Sequence, residues 1–151
     1  MNRFADKLSF VAITMWVGGL WAIGYLAAPV LFASLDDKMM AGMLAGKMFT
    51  WIAYVGLACG IYLLIHRVAV FGGSALKQSF FWSALVMMLL TIAIHFGIHP
   101  ILEGLKEQAL PKEVMESVFR NRFAGWHGVS SIAYLIESLL GLVLVLTPRR
   151  S

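Results

Sequence analysis

The chain has 151 residues, of which 60% are hydrophobic and only 13% are charged, and its mean hydropathy is +0.82. A soluble domain carries roughly 25% charged residues, so this composition excludes an ordinary water-soluble fold, and the length allows a single domain only. The formal net charge of +4 does not indicate nucleic-acid binding, because the basic residues cluster at the ends of apolar segments, where anionic lipid and membrane topology account for them.

Four apolar segments are long enough to cross a bilayer as helices, which takes about 20 residues each. They cover residues 8–33, 43–65, 79–102 and 124–147. Arg3 and Lys7 precede the first segment as in a signal peptide, but the apolar run far exceeds a signal core of roughly 7–15 residues, which predicts an uncleaved first span. The sequence therefore predicts an all-α integral membrane protein, one domain over residues 1–151, folded as an up-down bundle of four transmembrane helices.

Small residues and one proline shape the first two spans. The glycines of Trp16-x-Gly18-Gly19 permit close approach of another helix or of a cofactor edge. Pro29, near the end of the first span, is expected to kink or end that helix. In the second span Gly56-x-x-x-Gly60 places two small residues on one face. This spacing predicts a compact bundle and indicates no particular activity.

Methionines crowd the first connection and the start of the second span, at Met39, Met40, Met43 and Met48. Thioether sulfur favours Cu(I), so Met39 and Met43 are candidate metal ligands. Methionine is also a routine filler of apolar helices, and the spacing leaves that alternative open.

Three of the four histidines are expected to converge at one end of the bundle. His95 and His99 are four residues apart on the third span and share a helix face, and His127 begins the fourth span. In an up-down bundle these two positions lie at the same membrane face, so His95, His99 and His127 form a predicted cofactor or metal site. Imidazole binds copper and serves as an axial ligand of haem b. Histidines that only hydrogen-bond at the membrane boundary are the competing interpretation.

Glu137 is the one acid within the fourth apolar segment. A charged side chain at the centre of a membrane helix costs about 2.5–3.5 kcal/mol on insertion scales, so we expect Glu137 to face the bundle and to be paired or protonated. Ser130 and Tyr134 fall on the same helical side and extend a polar stripe. Two interpretations remain open, namely a carboxyl that handles protons or ions and a protonated carboxyl hydrogen-bonded to a neighbouring helix.

The connection between the third and fourth spans is not expected to be a plain loop. Pro111 suits the first turn of a helix. Apolar residues then recur at helical spacing, at Val114, Met115, Val118, Phe119 and Phe123. The pattern predicts a short amphipathic helix lying on the outer membrane surface, with a solvated linker as the alternative.

Lysine and arginine flank the spans in equal numbers, six on each side. On the side of the termini they are accompanied by Asp6 alone, whereas the other side also carries six acids. The cleaner basic flanks predict that the chain lies in the inner (plasma) membrane with both termini in the cytoplasm.

Five segments carry a family resemblance: Trp16-x-Gly18-Gly19, Ala28-Pro29-x-x-Phe32, Ala41-Gly42 to Gly46-x-x-Phe49, His99-Pro100, and Phe123-x-x-Trp126-His127-Gly128-x-Ser130. In this order they resemble the transmembrane protein 205-like family, also described as a domain of unknown function, over most of the chain. The resemblance implies a four-span membrane protein of unassigned biochemistry. The Trp-x-Gly-Gly element is also similar to copper-resistance D-type membrane domains and to a haem-pathway protoporphyrinogen oxidase. That similarity implies haem or copper, although the first span lacks the histidine that the oxidase carries there.

Three functions are compatible with these patterns. The first is a small haem- or copper-associated membrane protein serving metal handling or electron transfer. The second is a structural or accessory subunit that docks a larger membrane complex. The third is a small-solute or proton transporter built around Glu137, as a homo-oligomer because four spans enclose little pathway. No nucleotide loop or metalloprotease motif is present in the sequence, so we do not expect a conventional soluble-type active site.

Overall fold

The computed structural model describes residues 3–108 and 116–147, with the side chains of 3–105 and 121–147, and every element in these ranges is helical. Within them, four helices are long and apolar enough to cross a membrane. We number the four helices α1 (Arg3–Ser34), α2 (Lys38–Phe71), α3 (Ser79–Gln108) and α4 (Glu116–Leu146). The predicted all-helical class is thus confirmed for the described part of the chain.

Short connections join α1 to α2 at residues 35–37 and α2 to α3 at residues 72–78. Asp37 caps the start of α2 because its Oδ1 accepts hydrogen bonds from the backbone N–H groups of Met39 and Met40, at 2.9 and 3.1 Å. Between α2 and α3 the chain turns at Gly72, whose φ of 54° is left-handed, and continues as a 3-10 helix over Gly72–Lys77. We call the end that holds the start of α1 and the α2–α3 connection the terminal end. The opposite end is the far end.

Trp16 forms the centre of the core. Its indole lies against Gly56 and Gly60 of α2, where a Cβ on Gly56 would overlap the ring. The Gly-x-x-x-Gly spacing therefore admits the bulkiest side chain of the core rather than a second backbone. The other fully buried large side chains surround this contact at Val17, Leu63, Met87 and Leu144. Many outward side chains are apolar and exposed, such as Trp51 at 72%, as expected of a surface that faces lipid.

Helices α1 and α3 each contain one turn of π-helix directly before a proline. The π turns cover Ala22–Ala27 before Pro29 and Ala93–Ile98 before Pro100. Proline lacks an N–H, and its ring clashes with the carbonyl four residues earlier, so a widened turn lets the helix continue. Pro29 was expected to kink or end its helix, and an end at this residue is wrong, because α1 runs on to Ser34.

The two helix hairpins repeat one another in sequence and in contacts. Residues 22–29 and 93–100 share Ala-Ile-x-aromatic-x-x-x-Pro, and residues 52–54 and 132–134 are both Ile-Ala-Tyr. The Tyr54 ring packs edge-on against the His95 ring at 5.0 Å. The Tyr134 ring lies against Gly24, the residue that corresponds to His95 in the first hairpin. The two hairpins thus share two short sequence motifs, and each contributes a tyrosine that packs against the other hairpin.

The amphipathic surface helix predicted between the third and fourth spans is not a separate element of the described structure. Pro111, Val114 and Met115 lie outside the described residues. The backbone at 116–123, with Val118, Phe119 and Phe123, already belongs to α4, and α3 continues to Gln108. The described flanks of this connection are therefore extensions of the two long helices.

Candidate functional site

A cavity of about 590 Å³ lies between all four helices in the far half of the bundle, and we call it the central cavity. Its volume falls within the roughly 300–1,000 Å³ typical of small-molecule sites. Most of its wall is apolar, with large side chains from every helix: Trp16, Leu20, Phe32, Phe49, Ile94 and Leu135. The segment of α1 from Trp16 to Pro29 closes one side.

The structure brings all three predicted histidines to this cavity. His95, His99 and His127 line it together, from α3 and α4. The His95 and His99 ring centroids are 5.9 Å apart, with the planes tilted by 42°. His127 stacks on Phe123 of its own helix at 5.9 Å. Their role as ligands of a cofactor or metal stays a prediction.

Local structure fixes the orientation of the two α3 histidines. His95 lies within the π turn of α3, and turns of this type occur frequently at functional sites. The rings of Tyr54 and Phe96 pack against His95 at 5.0 and 4.7 Å. His99 Nε2 lies 3.5 Å from the point that a Cβ on Gly46 would occupy. Gly46 therefore leaves the space into which the His99 ring reaches.

A compact metal centre is not formed by these side chains. Among the described residues, no three His, Cys, Asp or Glu side chains are placed so that they could hold one metal ion. Met39 and Met43 are 63% and 50% exposed and do not line the central cavity. The arrangement can supply one or two imidazoles to a larger ligand more readily than a full coordination shell.

Glu137 lines the central cavity and is almost fully buried. Its side chain is 3% exposed, and its Oε1 lies 2.5 Å from the Thr91 hydroxyl of α3. Thr91 also lies 3.0 Å from the carbonyl oxygen of Met87. A hydroxyl has one hydrogen for these two acceptors. A protonated Glu137 satisfies both, since its own O–H can donate to Thr91 while Thr91 donates to Met87.

Further polar contacts join α1 to α4 beside Glu137. The Tyr134 hydroxyl donates to the carbonyl of Leu20 at 2.6 Å. The Tyr25 hydroxyl donates to Ser138 Oγ at 2.9 Å. Ser130 lines the same cavity, so the predicted stripe of Ser130, Tyr134 and Glu137 faces the bundle interior. The sequence pattern identified this stripe but not its partners Thr91 and Leu20, because the rotation of each helix about its axis decides which residues meet across the interface.

The family whose model matches the chain is described as "Domain of unknown function (DUF4149)", and the match covers residues 11–111. This match supports the predicted resemblance to a family of unassigned function. It does not support the resemblance to transmembrane protein 205 or to the copper-resistance D-type domains. No curated protein and no solved structure matches the chain.

Proposed function

The chain belongs to the DUF4149 family, and we propose that it is a multi-pass membrane protein that binds haem b, or a comparable planar and largely apolar ligand, in the central cavity. The observation that carries the proposal is the convergence of His95, His99 and His127 on one apolar cavity of about 590 Å³. The proposal includes the inner membrane as its location and a cytoplasmic position for both termini.

The donor set suits haem better than an isolated metal ion. Haem needs only one or two axial side chains, whereas the described residues offer no cluster of three His, Cys, Asp or Glu for a bare ion. If haem is bound, His95 or His99 of α3 and His127 of α4 would be the residues that hold it, from two different helices. When bound, haem supplies one-electron chemistry. The chain's contribution is to hold it in an apolar site between the helices.

The test is an optical titration of the purified protein in neutral detergent. Haem added to the protein should give a Soret band distinct from that of free haem and should saturate at a fixed stoichiometry. Elemental analysis of protein purified from copper-supplemented cells distinguishes the copper alternative. Bound copper without a haem spectrum would contradict haem binding in favour of copper handling. The absence of both signals would contradict both functions.

A second candidate function rests on Glu137. A carboxyl at the floor of a cavity, hydrogen-bonded to Thr91 across the bundle, can take up and release a proton. This favours proton or small-solute transport by a homo-oligomer over a purely structural, accessory role. Proton flux in liposomes that depends on Glu137 would support transport. A functional Glu137→Gln variant would contradict it.

A further inference from the structure

A second cavity, of about 420 Å³, lies in the terminal half of the bundle between α1, α2 and α4. We call it the terminal groove. Its lining on α1 extends from Asp6 to Trp21, which at about 1.5 Å per residue is roughly 22 Å. One leaflet contributes about half of the roughly 30 Å hydrocarbon core. The groove is therefore long enough to follow a lipid chain through a leaflet.

The walls of the groove are apolar over most of this length. Aliphatic side chains come from all three helices, at Ile13, Val17, Leu63, Val70, Leu144 and Val145. Gly18 lies near the inner end of this lining, where an added Cβ would meet nothing within 4 Å, so there is open space beside it. The groove is thus suited to a flexible hydrocarbon chain rather than to a polar solute.

The mouth of the groove carries a positioned arginine. Arg67 Nε donates to Gln78 Oε1 at 2.6 Å, and its guanidinium carbon lies 4.7 Å from the Phe71 ring centroid and 4.3 Å from that of Phe80. These contacts fix the guanidinium and leave its two terminal nitrogens to other acceptors. In the described part of the chain no carboxylate forms an ion pair with Arg67.

Among the described residues that line the groove, Asp6 is the one acid, and it is engaged elsewhere. Asp6 Oδ1 lies 3.4 Å from His66 Nε2. The other ring nitrogen of His66 lies 3.1 Å from Ser9 Oγ, which donates to the carbonyl of Ala5 and so can accept from the ring. His66 is further held by stacking on Tyr62. Asp6 is therefore directed at His66, and the charge of Arg67 is left for an external anion.

We infer that the terminal groove binds an anionic phospholipid, with the headgroup phosphate at Arg67 and an acyl chain along the wall past Gly18. Arginine recognises phosphate through paired hydrogen bonds. The apolar groove would cover an acyl chain, which a phospholipid has and inorganic phosphate does not. Arg3, Lys7 and Lys77 add positive charge at the same end of the bundle. This inference concerns a different cavity from the proposed haem site and does not depend on it.

The test measures lipid retention by native mass spectrometry of the delipidated full chain. The probes are phosphatidylglycerol, phosphatidylcholine and inorganic phosphate, each added separately and then in competition. The wild type should retain phosphatidylglycerol in preference to phosphatidylcholine. Arg67→Gln should weaken phosphatidylglycerol binding about tenfold or more, because a charge-assisted contact is lost. Lys77→Gln removes the same charge at the same end but outside the groove, and it should weaken phosphatidylglycerol binding much less than Arg67→Gln does.

A second variant tests the chain-binding part independently of the headgroup. Gly18→Leu should fold, because the added side chain enters open space, and it should lower retention of both lipids. Gly73→Leu adds the same side chain in the α2–α3 connection, also into open space, and should change nothing. Equal retention of the two lipids by the wild type, or unchanged binding in both Arg67→Gln and Gly18→Leu, would overturn the inference. Displacement of lipid by equimolar inorganic phosphate would overturn it in favour of a simple anion site.

Discussion

The Thr91 hydroxyl and Glu137 Oε1 lie 2.5 Å apart and join α3 to α4 at the floor of the central cavity. This pair places the intramembrane acid of the chain against the one hydroxyl that α3 buries at that depth. Because both side chains face the interior of the bundle, the carboxyl of Glu137 is kept away from lipid. Variants of Thr91 can therefore be used to test whether Glu137 is protonated.

Removing the Thr91 hydroxyl should lower the free energy of unfolding more than replacing Glu137 by glutamine does. Thr91→Val leaves a buried carboxyl without its partner, which costs about 1–3 kcal/mol of unfolding free energy. Glu137→Gln keeps the shape of the side chain, and the amide can still donate a hydrogen bond to Thr91. The free energy of unfolding should therefore change by less than about 1 kcal/mol. Unfolding in mixed detergent measures both.

Thr50→Val is the matched control, because Thr50 Oγ1 donates only to the carbonyl of Gly46 within its own helix. Thr50→Val should leave the free energy of unfolding almost unchanged. A Glu137→Gln variant as unstable as Thr91→Val would show that the carboxyl is ionised and needs its charge.

The contact between Gly56 and the Trp16 indole should make Gly56→Ala destabilising. A Cβ there overlaps the indole, and overpacking of this kind costs about 1–3 kcal/mol. Gly125→Ala in α4 is the control, since a Cβ at Gly125 meets nothing within 4 Å and alanine favours a helix by up to about 1 kcal/mol. Thermal unfolding followed by circular dichroism should give Gly56→Ala a lower Tm than the wild type and Gly125→Ala an equal or higher one. The reverse order would contradict the packing.

Orientation can be tested with an impermeant thiol reagent in a Cys59→Ser background. The α1–α2 and α2–α3 connections lie at opposite ends of the bundle. If both termini are cytoplasmic, Asp36→Cys should react in intact cells and Ser74→Cys only after permeabilisation. Reaction of Ser74→Cys alone in intact cells would invert the proposed topology.

The sequence predicted the four long helices because apolar length alone defines a span, and the described helices contain those segments. It also predicted that His95, His99 and His127 lie at one end of the bundle, and all three line the central cavity, whereas their role as ligands stays a prediction. It did not predict that Glu137 meets Thr91, because the α3 side chain that faces Glu137 depends on how the two helices are rotated about their axes. The π turns were missed because a proline alone indicates a break, whereas here the helix widens by one residue and continues.

Filling the central cavity should prevent haem binding even when every histidine is present. Gly46 lines the cavity beside His99, so Gly46→Leu places a side chain where the His99 ring reaches. Gly128→Leu in α4 adds the same side chain where nothing lies within 4 Å of a Cβ and outside the cavity wall. In the optical titration, Gly46→Leu should lose the Soret band of bound haem and Gly128→Leu should keep it. Equal binding by the two variants would place any haem elsewhere.

The most direct test of the proposed function is the same titration on single histidine variants. His95→Ala, His99→Ala and His127→Ala each remove one imidazole from the central cavity, whereas His66→Ala removes the histidine of the terminal groove. The proposal predicts a saturable Soret band in the wild type and in His66→Ala, and its loss or a marked shift in at least one of the three cavity variants. A wild type that binds no haem, or three cavity variants that all bind it unchanged, would contradict the proposal.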